Sequence, residues 1–190
     1  MKTYKEQLVE RNKKFHKLSP AKQRVEIAKD VLLQLKSKKY VATTGRYFDL
    51  RRDYFSKNSN QEEKFFKTKS AQEAIDLDGI KCEVCARGAI FASRCRLGND
   101  AINPEYSSAT YFSKEERKVI DPCFGTELKL MIEYLFELGG AGDRQPEYQD
   151  VADRWIDLVY ASTPEHRMKL IMKNLIRNNG SLVLFHKTID

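Results

Sequence analysis

Four cysteines carry the reactive side chains whose spacing suggests chemistry most directly: Cys82, Cys85, Cys95 and Cys123. Zinc prefers four thiolate or imidazole ligands, and structural zinc sites usually supply them as two tight pairs. Only Cys82 and Cys85 form such a pair, in a segment that we interpret as helical. A redox Cys-x-x-Cys requires a strand-to-helix junction, and no βαβ pattern surrounds this pair. We therefore expect buried structural cysteines, and neither a metal nor a cofactor.

Other catalytic groups are sparse in the sequence. The three histidines are spread along the chain at His16, His166 and His186, and we expect them on the surface. No pair of carboxylates is marked by its surroundings as an acid–base pair. The glycine-rich run 139–142 lacks the Lys-Ser/Thr of a phosphate-binding loop. We predict no catalytic residue, and we keep a cysteine- or carboxylate-dependent enzyme as an alternative.

Arginine and aromatic residues give the better candidate site. In the segment 45–52, guanidinium and aromatic groups alternate on a loop, a mixture that can pair with phosphate and stack on a base. Two further arginines lie seven residues apart and so share one face of the predicted helix 82–97. Exposed surface charge is the alternative interpretation of both clusters. The predicted ligand-binding residues are Arg46, Tyr47, Arg51, Arg52, Arg87 and Arg94.

The net charge of +7 is concentrated at one end of the chain. Residues 1–40 contain twelve Lys/Arg and four Asp/Glu, a net charge of +8. Residues 127–157 contain eight Asp/Glu and three Lys/Arg, a net charge of −5. The basic segment can therefore face outward to an external polyanion or fold back on this acidic region, and the sequence leaves both open.

The elements that must position these residues are mostly helices. Ser19-Pro20 is a typical helix start, and Ala21, Val25, Ala28 and Leu35 follow it on one apolar face. Two segments, 41–48 and 181–186, favour a small β element. Capping residues, periodicity and stop signals predict helices over residues 2–17, 20–38, 70–78, 82–97, 113–121, 126–138, 146–160 and 163–177.

The predicted helix 82–97 consists largely of small residues, which allow neighbouring backbones to approach closely. We therefore expect it to be the packing centre of the fold. The chain is 41% hydrophobic, enough for a real core. We predict a mainly α protein, a compact single-domain helical bundle of about seven or eight helices with at most a small β element. The domain spans residues 1–190, with residues 1–18 as a loosely docked basic helix.

Location and assembly follow from weaker signals. No run approaches the roughly 20 apolar residues of a membrane span, and residues 1–7 lack the apolar core of a signal peptide. We expect no membrane contact and a cytoplasmic protein with reduced thiols. The apolar run 182–185 and the first helix are the candidate contacts of a homo-oligomer.

Three segments together resemble a protein family. The order Ala28–Leu32, Gly45–Tyr47 and Cys82–Phe91 resembles small uncharacterised proteins of bacteria and their phages, in which an A-K-D-V-L helix precedes a C-x-x-C-A-x-G-A-x-F helix. The resemblance covers residues 25–97, and the C-terminal half is similar in helical layout only. It implies no chemistry but a setting, because small phage proteins often bind a host factor, a nucleic acid or a nucleotide signal. A phage-encoded protein would act in the host cytoplasm.

These observations lead to one expected function and its rivals. We expect a non-enzymatic binding protein for a phosphate-bearing ligand, a nucleotide-type signal or nucleic acid, which could serve phage counter-defence. The first rival is a protein-interaction module whose basic helices bind an acidic host protein. The second is the enzyme mentioned above.

Overall fold

The computed structural model describes residues 4–45, 47–50, 81–98, 114–137 and 163–183. This part of the chain is mainly helical, as the sequence predicts, and it also contains one small sheet. The helices are α1 (Tyr4–His16), α2 (Pro20–Lys36), α3 (Ala86–Gly98), α4 (Lys114–Glu137) and α5 (Pro164–Arg177). The strands are β1 (Tyr40–Ala42), β2 (Phe48–Leu50) and β3 (Cys82–Val84).

The described residues contain five helices, where the sequence predicts seven or eight. Two of the predicted helices, over 70–78 and 146–160, lie outside the described residues. Two others, over 113–121 and 126–138, are joined in α4, which is interrupted only at Gly125. None of the five helices is long and apolar enough to cross a membrane.

Helix α2 begins where the sequence predicts, at Pro20. Its first turn is closed by the backbone, because the Gln23 N–H donates to the Ser19 carbonyl at 2.9 Å while the Ser19 side chain makes no capping bond. The face toward the core is wider than the sequence suggests: Ile27 is fully buried on it, and so are the polar side chains of Asp30 and Gln34. Asp30 forms an internal ion pair with Arg96 of α3.

The sheet corrects the prediction for residues 82–84. The helix expected from Cys82 begins at Ala86 instead, and the residues before it form β3 at the centre of the order β1-β3-β2. Strand β3 runs parallel to β1, with Tyr40 opposite Cys82, and antiparallel to β2, with Leu50 opposite Cys82. All three β3 residues are buried, and the ladders on both sides satisfy backbone groups that burial would otherwise leave unpaired.

Helix α3 is the packing centre of the described structure. Every residue from Ala86 to Gly98 is buried, and α1, α2 and α4 all pack against this helix. Its small residues let these neighbours approach closely, with Ala89, Ala92 and Cys95 each fully buried. The sequence-based prediction of a central small-residue helix is confirmed for residues 86–97 and wrong for 82–85.

Helix α4 changes direction at Gly125. This residue has φ 65° and ψ 167°, a backbone region that is almost exclusive to glycine. The second half then buries Ile132, Leu135 and Phe136 completely. Gly125 therefore lets two helical pieces, each predicted from its own signals, pack as one kinked element.

Helix α5 matches its sequence signals closely. The Thr163 hydroxyl accepts a hydrogen bond from the His166 N–H at 3.2 Å, and Pro164 occupies the first turn. At its other end the Gly180 N–H donates to the Leu175 carbonyl at 2.7 Å, with Gly180 at φ 88°. The predicted apolar face is fully buried: Met168, Ile171, Met172 and Leu175.

The first residues after α5, Ser181–Val183, do not form the β element that the segment 181–186 suggests. Residues 181–183 have no strand partner in the structure, and 184–186 lie outside the described residues. The Asn174 side chain instead pairs with the Val183 backbone: its Nδ2 donates to the carbonyl at 2.6 Å, and its Oδ1 accepts from the N–H at 3.0 Å. The Asn174 amide thus forms the hydrogen bonds with the Val183 backbone that a neighbouring strand would form.

Candidate functional site

Two of the predicted ligand-binding residues meet at one end of the sheet. Tyr47 follows β1 and Arg87 follows β3, so the parallel pairing of these strands brings both residues to the same edge. The Arg87 guanidinium carbon lies 5.7 Å from the centre of the Tyr47 ring, a cation–π distance. Arg46, Arg51 and Arg52 lie outside the described residues.

Arg87 is bound internally. Its guanidinium forms an ion pair with Glu133 of α4, and the residue is only 4% exposed. A phosphate at this position would have to displace a carboxylate from a mostly buried cation. The side chain of Glu133 is 36% exposed. The sequence does not indicate Glu133 as the partner of Arg87, because the two residues lie 46 positions apart.

A second carboxylate, Glu137, lies one helical turn beyond Glu133 and holds the loop that follows β1. The Gly45 N–H donates to its two oxygens at 3.2 and 3.1 Å. Burial raises the pKa of Glu137, and Glu133 adds to that increase, while the Gly45 N–H and Arg167 partly oppose it. Burial also lowers the pKa of Arg167, against the influence of Glu137. Among the described residues, these two carboxylates and the guanidinium groups of Arg87 and Arg167 balance in charge.

The raised pKa of Glu137 predicts how stability depends on pH. A carboxyl whose pKa is higher in the folded state contributes stability below its unfolded value, and that contribution is lost as pH rises through the folded value. We therefore expect Glu137→Gln, which keeps an acceptor for Gly45, to gain in stability relative to the natural protein as pH rises from 4 to 7. Urea unfolding across this range measures the difference. Glu127→Gln, on an exposed residue of α4, is the control, and a Glu137→Gln difference that is constant with pH contradicts the assignment.

Arg94 lies further along α3 and contacts different elements. Its guanidinium carbon lies 5.1 Å from the centre of the Phe15 ring of α1, and the residue is 8% exposed. Burial raises the pKa of the neighbouring Cys123 thiol, although the charges of Arg94 and Arg24 oppose this. Arg94 therefore connects α1 to the core, and the structure does not bring it together with Tyr47 and Arg87.

Arg96 is the third arginine of α3 that contacts a neighbouring helix. Its Nε donates to Asp30 Oδ2 of α2 at 2.9 Å, and a terminal nitrogen pairs with Oδ1. Arg87 contacts α4, and Arg94 contacts both Phe15 of α1 and Cys123 of α4. Each guanidinium thus connects the central helix to at least one neighbouring helix.

The cysteines are buried and form no disulfide. Cys85 lies at the junction between β3 and α3, where a redox cysteine would be placed. Its pKa is nevertheless raised to about 12, mainly by burial and in part by Glu133 and Glu137, against the opposing effect of the backbone N–H groups of Gly88 and Arg87. A thiol with this pKa carries almost no thiolate at neutral pH. In the described residues no three His, Cys, Asp or Glu side chains are placed to hold a metal ion.

The basic residues of α1 and α2 present a different surface. Lys14 pairs with Glu10 at 3.2 Å, and Lys29 pairs with Glu26 at 2.7 Å. The other exposed lysines of these helices and the turn after α2 have no carboxylate partner among the described residues; they are Lys13, Lys17, Lys22, Lys36 and Lys38.

The acidic region does not neutralise these lysines where the structure describes it. In the described part of this region, residues 127–137, Glu133 pairs with Arg87, Glu137 accepts from the Gly45 N–H, and Glu127 is exposed. Residues 138–157, the rest of that region, lie outside the described residues. Among the described residues the exposed lysines of the basic segment therefore form no ion pair with this region, whereas Arg24 of the same segment turns inward and donates to the Gly180 and Cys123 carbonyls.

Lys13 and Lys17 border an open surface cavity of about 410 Å³ between α1 and the end of α3. His16 fixes one wall, because its Nε2 donates to the Gly98 carbonyl at 3.0 Å. Arg11 donates to the Arg96 carbonyl at 3.5 Å, so two α1 side chains cap the C-terminal end of α3. The cavity is lined by Val9, Asn12, Lys13, His16, Lys17 and Gly98. The sequence indicates the basic segment but not which of its residues share this face. The isolated aromatic residue Phe15 could have indicated which side of α1 faces the core and therefore which side faces outward.

Comparison with known proteins assigns no function to this chain. The chain matches no protein-family model, no curated protein and no solved structure. Two regions of the described structure remain as candidates: the cluster of Arg87, Glu133 and Glu137 at the end of the sheet, and the surface at the end of α1, where Lys13 and Lys17 have no carboxylate partner among the described residues.

Proposed function

We propose that this protein binds a phosphate-bearing ligand through the basic face of α1, defined as Val9, Asn12, Lys13, His16 and Lys17. The observation that carries the proposal is the pair Lys13 and Lys17, exposed beside the cavity without a carboxylate partner among the described residues. Lys13 lies in the last turn of α1 and Lys17 directly follows the helix, where its N–H donates to the Lys14 carbonyl at 3.2 Å, so the two lysines are about one turn apart. Two ammonium groups at this spacing can bind one phosphate group from both sides.

Helix dipoles reduce the positive charge of this face but do not cancel it. The C-terminal ends of α1 and α3 meet near His16 and Gly98, and each helix end carries about −0.5 charge. Arg11, Lys13, Lys14 and Lys17 add four positive charges, and Glu10 removes one. A net charge of about +2 therefore remains to attract an anion.

The sheet-edge cluster is the weaker candidate for the same function. A phosphate near Tyr47 and Arg87 competes with Glu133, which already neutralises the guanidinium. The raised pKa of Cys85 also weakens the alternative of a cysteine-dependent enzyme at this edge. The counter-defence role remains a hypothesis that the family resemblance suggests.

The lysine pair gives the test. Lys13→Gln/Lys17→Gln is expected to weaken pyrophosphate binding at least tenfold, because a hydrogen bond to a charged group contributes about 1.5–3 kcal/mol and about 1.4 kcal/mol corresponds to a tenfold change. Isothermal titration calorimetry at low ionic strength measures the affinity. Lys22→Gln/Lys36→Gln removes the same charge from α2 and should change the affinity by less than about threefold.

A second ligand in the same experiment distinguishes the proposal from its main rival, binding of an acidic protein partner. A glutamate-rich peptide presents carboxylates rather than phosphates to the same lysines. If the peptide binds and pyrophosphate does not, the proposal is wrong and the acidic-partner alternative replaces it. Equal losses of pyrophosphate affinity in the two double variants would also contradict the proposed location.

A further inference from the structure

His16 connects the cavity on the basic face of α1 to the C-terminal end of α3. Its side chain lines the cavity and is exposed, and its Nε2 lies 3.0 Å from the Gly98 carbonyl oxygen. A carbonyl oxygen accepts hydrogen bonds and donates none, so Nε2 carries a proton whenever this contact is kept. In the neutral ring Nδ1 is therefore an acceptor, and it becomes a donor when the imidazole gains a second proton.

Two opposing influences act on the charge of this imidazole. The end of α3 carries about −0.5 charge, which stabilises a protonated imidazole that donates to its carbonyl. Lys13 and Lys17 lie in the same cavity wall, and their positive charges oppose protonation. Among the described residues that line the cavity, none is a carboxylate. The ammonium groups that oppose a proton on His16 are thus the groups that the proposed phosphate neutralises.

The other charged side chains near this junction of α1 and α3 are engaged with protein groups. Arg11 donates to the Arg96 carbonyl, Arg94 lies over the Phe15 ring, Arg96 pairs with Asp30, and Lys14 pairs with Glu10. A ligand in the cavity leaves these contacts in place. Its effect on the charge near His16 therefore acts through Lys13 and Lys17.

We propose that His16 couples phosphate binding on the basic face of α1 to the uptake of a proton from solvent, an inference that rests on the proposed function. A bound phosphate neutralises Lys13 and Lys17 and removes the repulsion that opposes a charged imidazole. A proton on Nδ1 in turn adds a third positive charge to the cavity wall. The two effects are reciprocal, so phosphate favours protonation by the same factor by which protonation favours phosphate.

The first test compares the natural protein with His16→Gln by calorimetry on the full chain, with pyrophosphate as ligand, at about pH 8 and about pH 5.5, the range in which histidine changes charge. Glutamine keeps an N–H donor for the Gly98 carbonyl but gains no charge. Affinities within about twofold are expected at the higher pH. At the lower pH the natural protein should bind at least about fivefold more tightly, or about 1 kcal/mol, the contribution of a unit charge about 4 Å away in water. Protonation of pyrophosphate itself is common to both proteins.

The matched control for this comparison is His166→Gln. His166 is exposed in the first turn of α5, and its substitution should leave the affinity of the natural protein unchanged at both pH values. Circular dichroism and the melting temperature without ligand establish that each variant is folded at each pH.

The second test needs no variant. The imidazole resonances of the natural protein are followed by NMR as pH changes, with and without saturating pyrophosphate. By reciprocity, the midpoint of the His16 titration should move to higher pH by at least about 0.7, the logarithm of the fivefold change. His166 is the internal control, and its midpoint should stay in place.

Each other outcome decides between the two proposals. If pyrophosphate binds but the natural protein and His16→Gln differ by the same factor at both pH values, the phosphate site stands and the coupling is overturned. A His16 midpoint that pyrophosphate leaves in place, or a His166 midpoint that moves as far, overturns it as well. If pyrophosphate binds at neither pH, the proposed function itself is wrong.

Discussion

Replacing Asp30 with alanine is expected to lower the free energy of unfolding by about 3–5 kcal/mol. Asp30 is 4% exposed and accepts two hydrogen bonds from Arg96, which is 8% exposed. The substitution leaves a buried guanidinium without its counter-charge, and such losses are among the largest single-residue effects. For a chain of this size we expect a decrease in melting temperature of about 6–20 °C, measured by differential scanning calorimetry.

Two comparisons separate the ion pair from simple loss of side-chain volume. Asp30→Leu/Arg96→Met replaces both charges by apolar groups and should cost less than Asp30→Ala alone, because neither charge is left buried. Glu26→Ala breaks the exposed pair with Lys29 on the same helix and should cost less than about 1 kcal/mol. A double variant at least as unstable as Asp30→Ala would contradict the role of this pair as a tie between α2 and α3.

Gly180→Ala is expected to destabilise the protein by about 2–5 kcal/mol through backbone strain and overlap together. The residue has φ 88°, which an L side chain rarely adopts, and a Cβ at this position would lie 2.2 Å from the Ala21 carbonyl oxygen. Because the overlapping atom belongs to the α2 backbone, no change of rotamer relieves the contact. The end of α5 must move away from the start of α2, which chemical denaturation should report as a lower midpoint.

Gly45→Ala is the matched control for backbone strain alone. Gly45 has φ 71°, but a Cβ there would meet no atom of the described residues within 4 Å. This variant should therefore lose only about 1–2 kcal/mol from the left-handed conformation. Equal losses at the two glycines would show that the close approach of α5 to α2 has no energetic consequence.

The helices that the sequence predicts best are those with local signals at both ends. Helix α5 has Thr163 and Pro164 at its start and Asn179 and Gly180 at its end, and its apolar face follows from spacing alone. Both ends of such an element depend on hydrogen bonds within a few residues. These bounds could therefore be predicted without any knowledge of the partners of the helix.

Strand β3 could not be predicted in the same way. Cys82–Val84 is only three residues long, and no turn or capping residue separates it from α3. Its conformation depends on pairing with Tyr40–Ala42, about 40 residues earlier, rather than on its own composition. Tertiary contacts override local helix propensity here, which is why the predicted helix began too early.

The roles of the arginines also depend on contacts distant in sequence. Spacing shows that Arg87 and Arg94 share a face of α3, but not that Glu133 and Phe15 lie against them. Their partners determine whether a guanidinium binds a ligand or connects helices. Among the described residues the arginines of α3 contact neighbouring helices, and the exposed lysines without a carboxylate partner include Lys13 and Lys17 at the end of α1.

The most direct test of the proposed binding site is to locate a bound anion on the protein. We would titrate pyrophosphate into ¹⁵N-labelled protein and follow the backbone amide resonances by NMR. The account predicts that the largest chemical-shift changes occur at residues 9–17 and at Gly98, with the amides of Tyr47 and Arg87 nearly unchanged. The largest changes at Tyr47 and Arg87, with α1 unaffected, would contradict it.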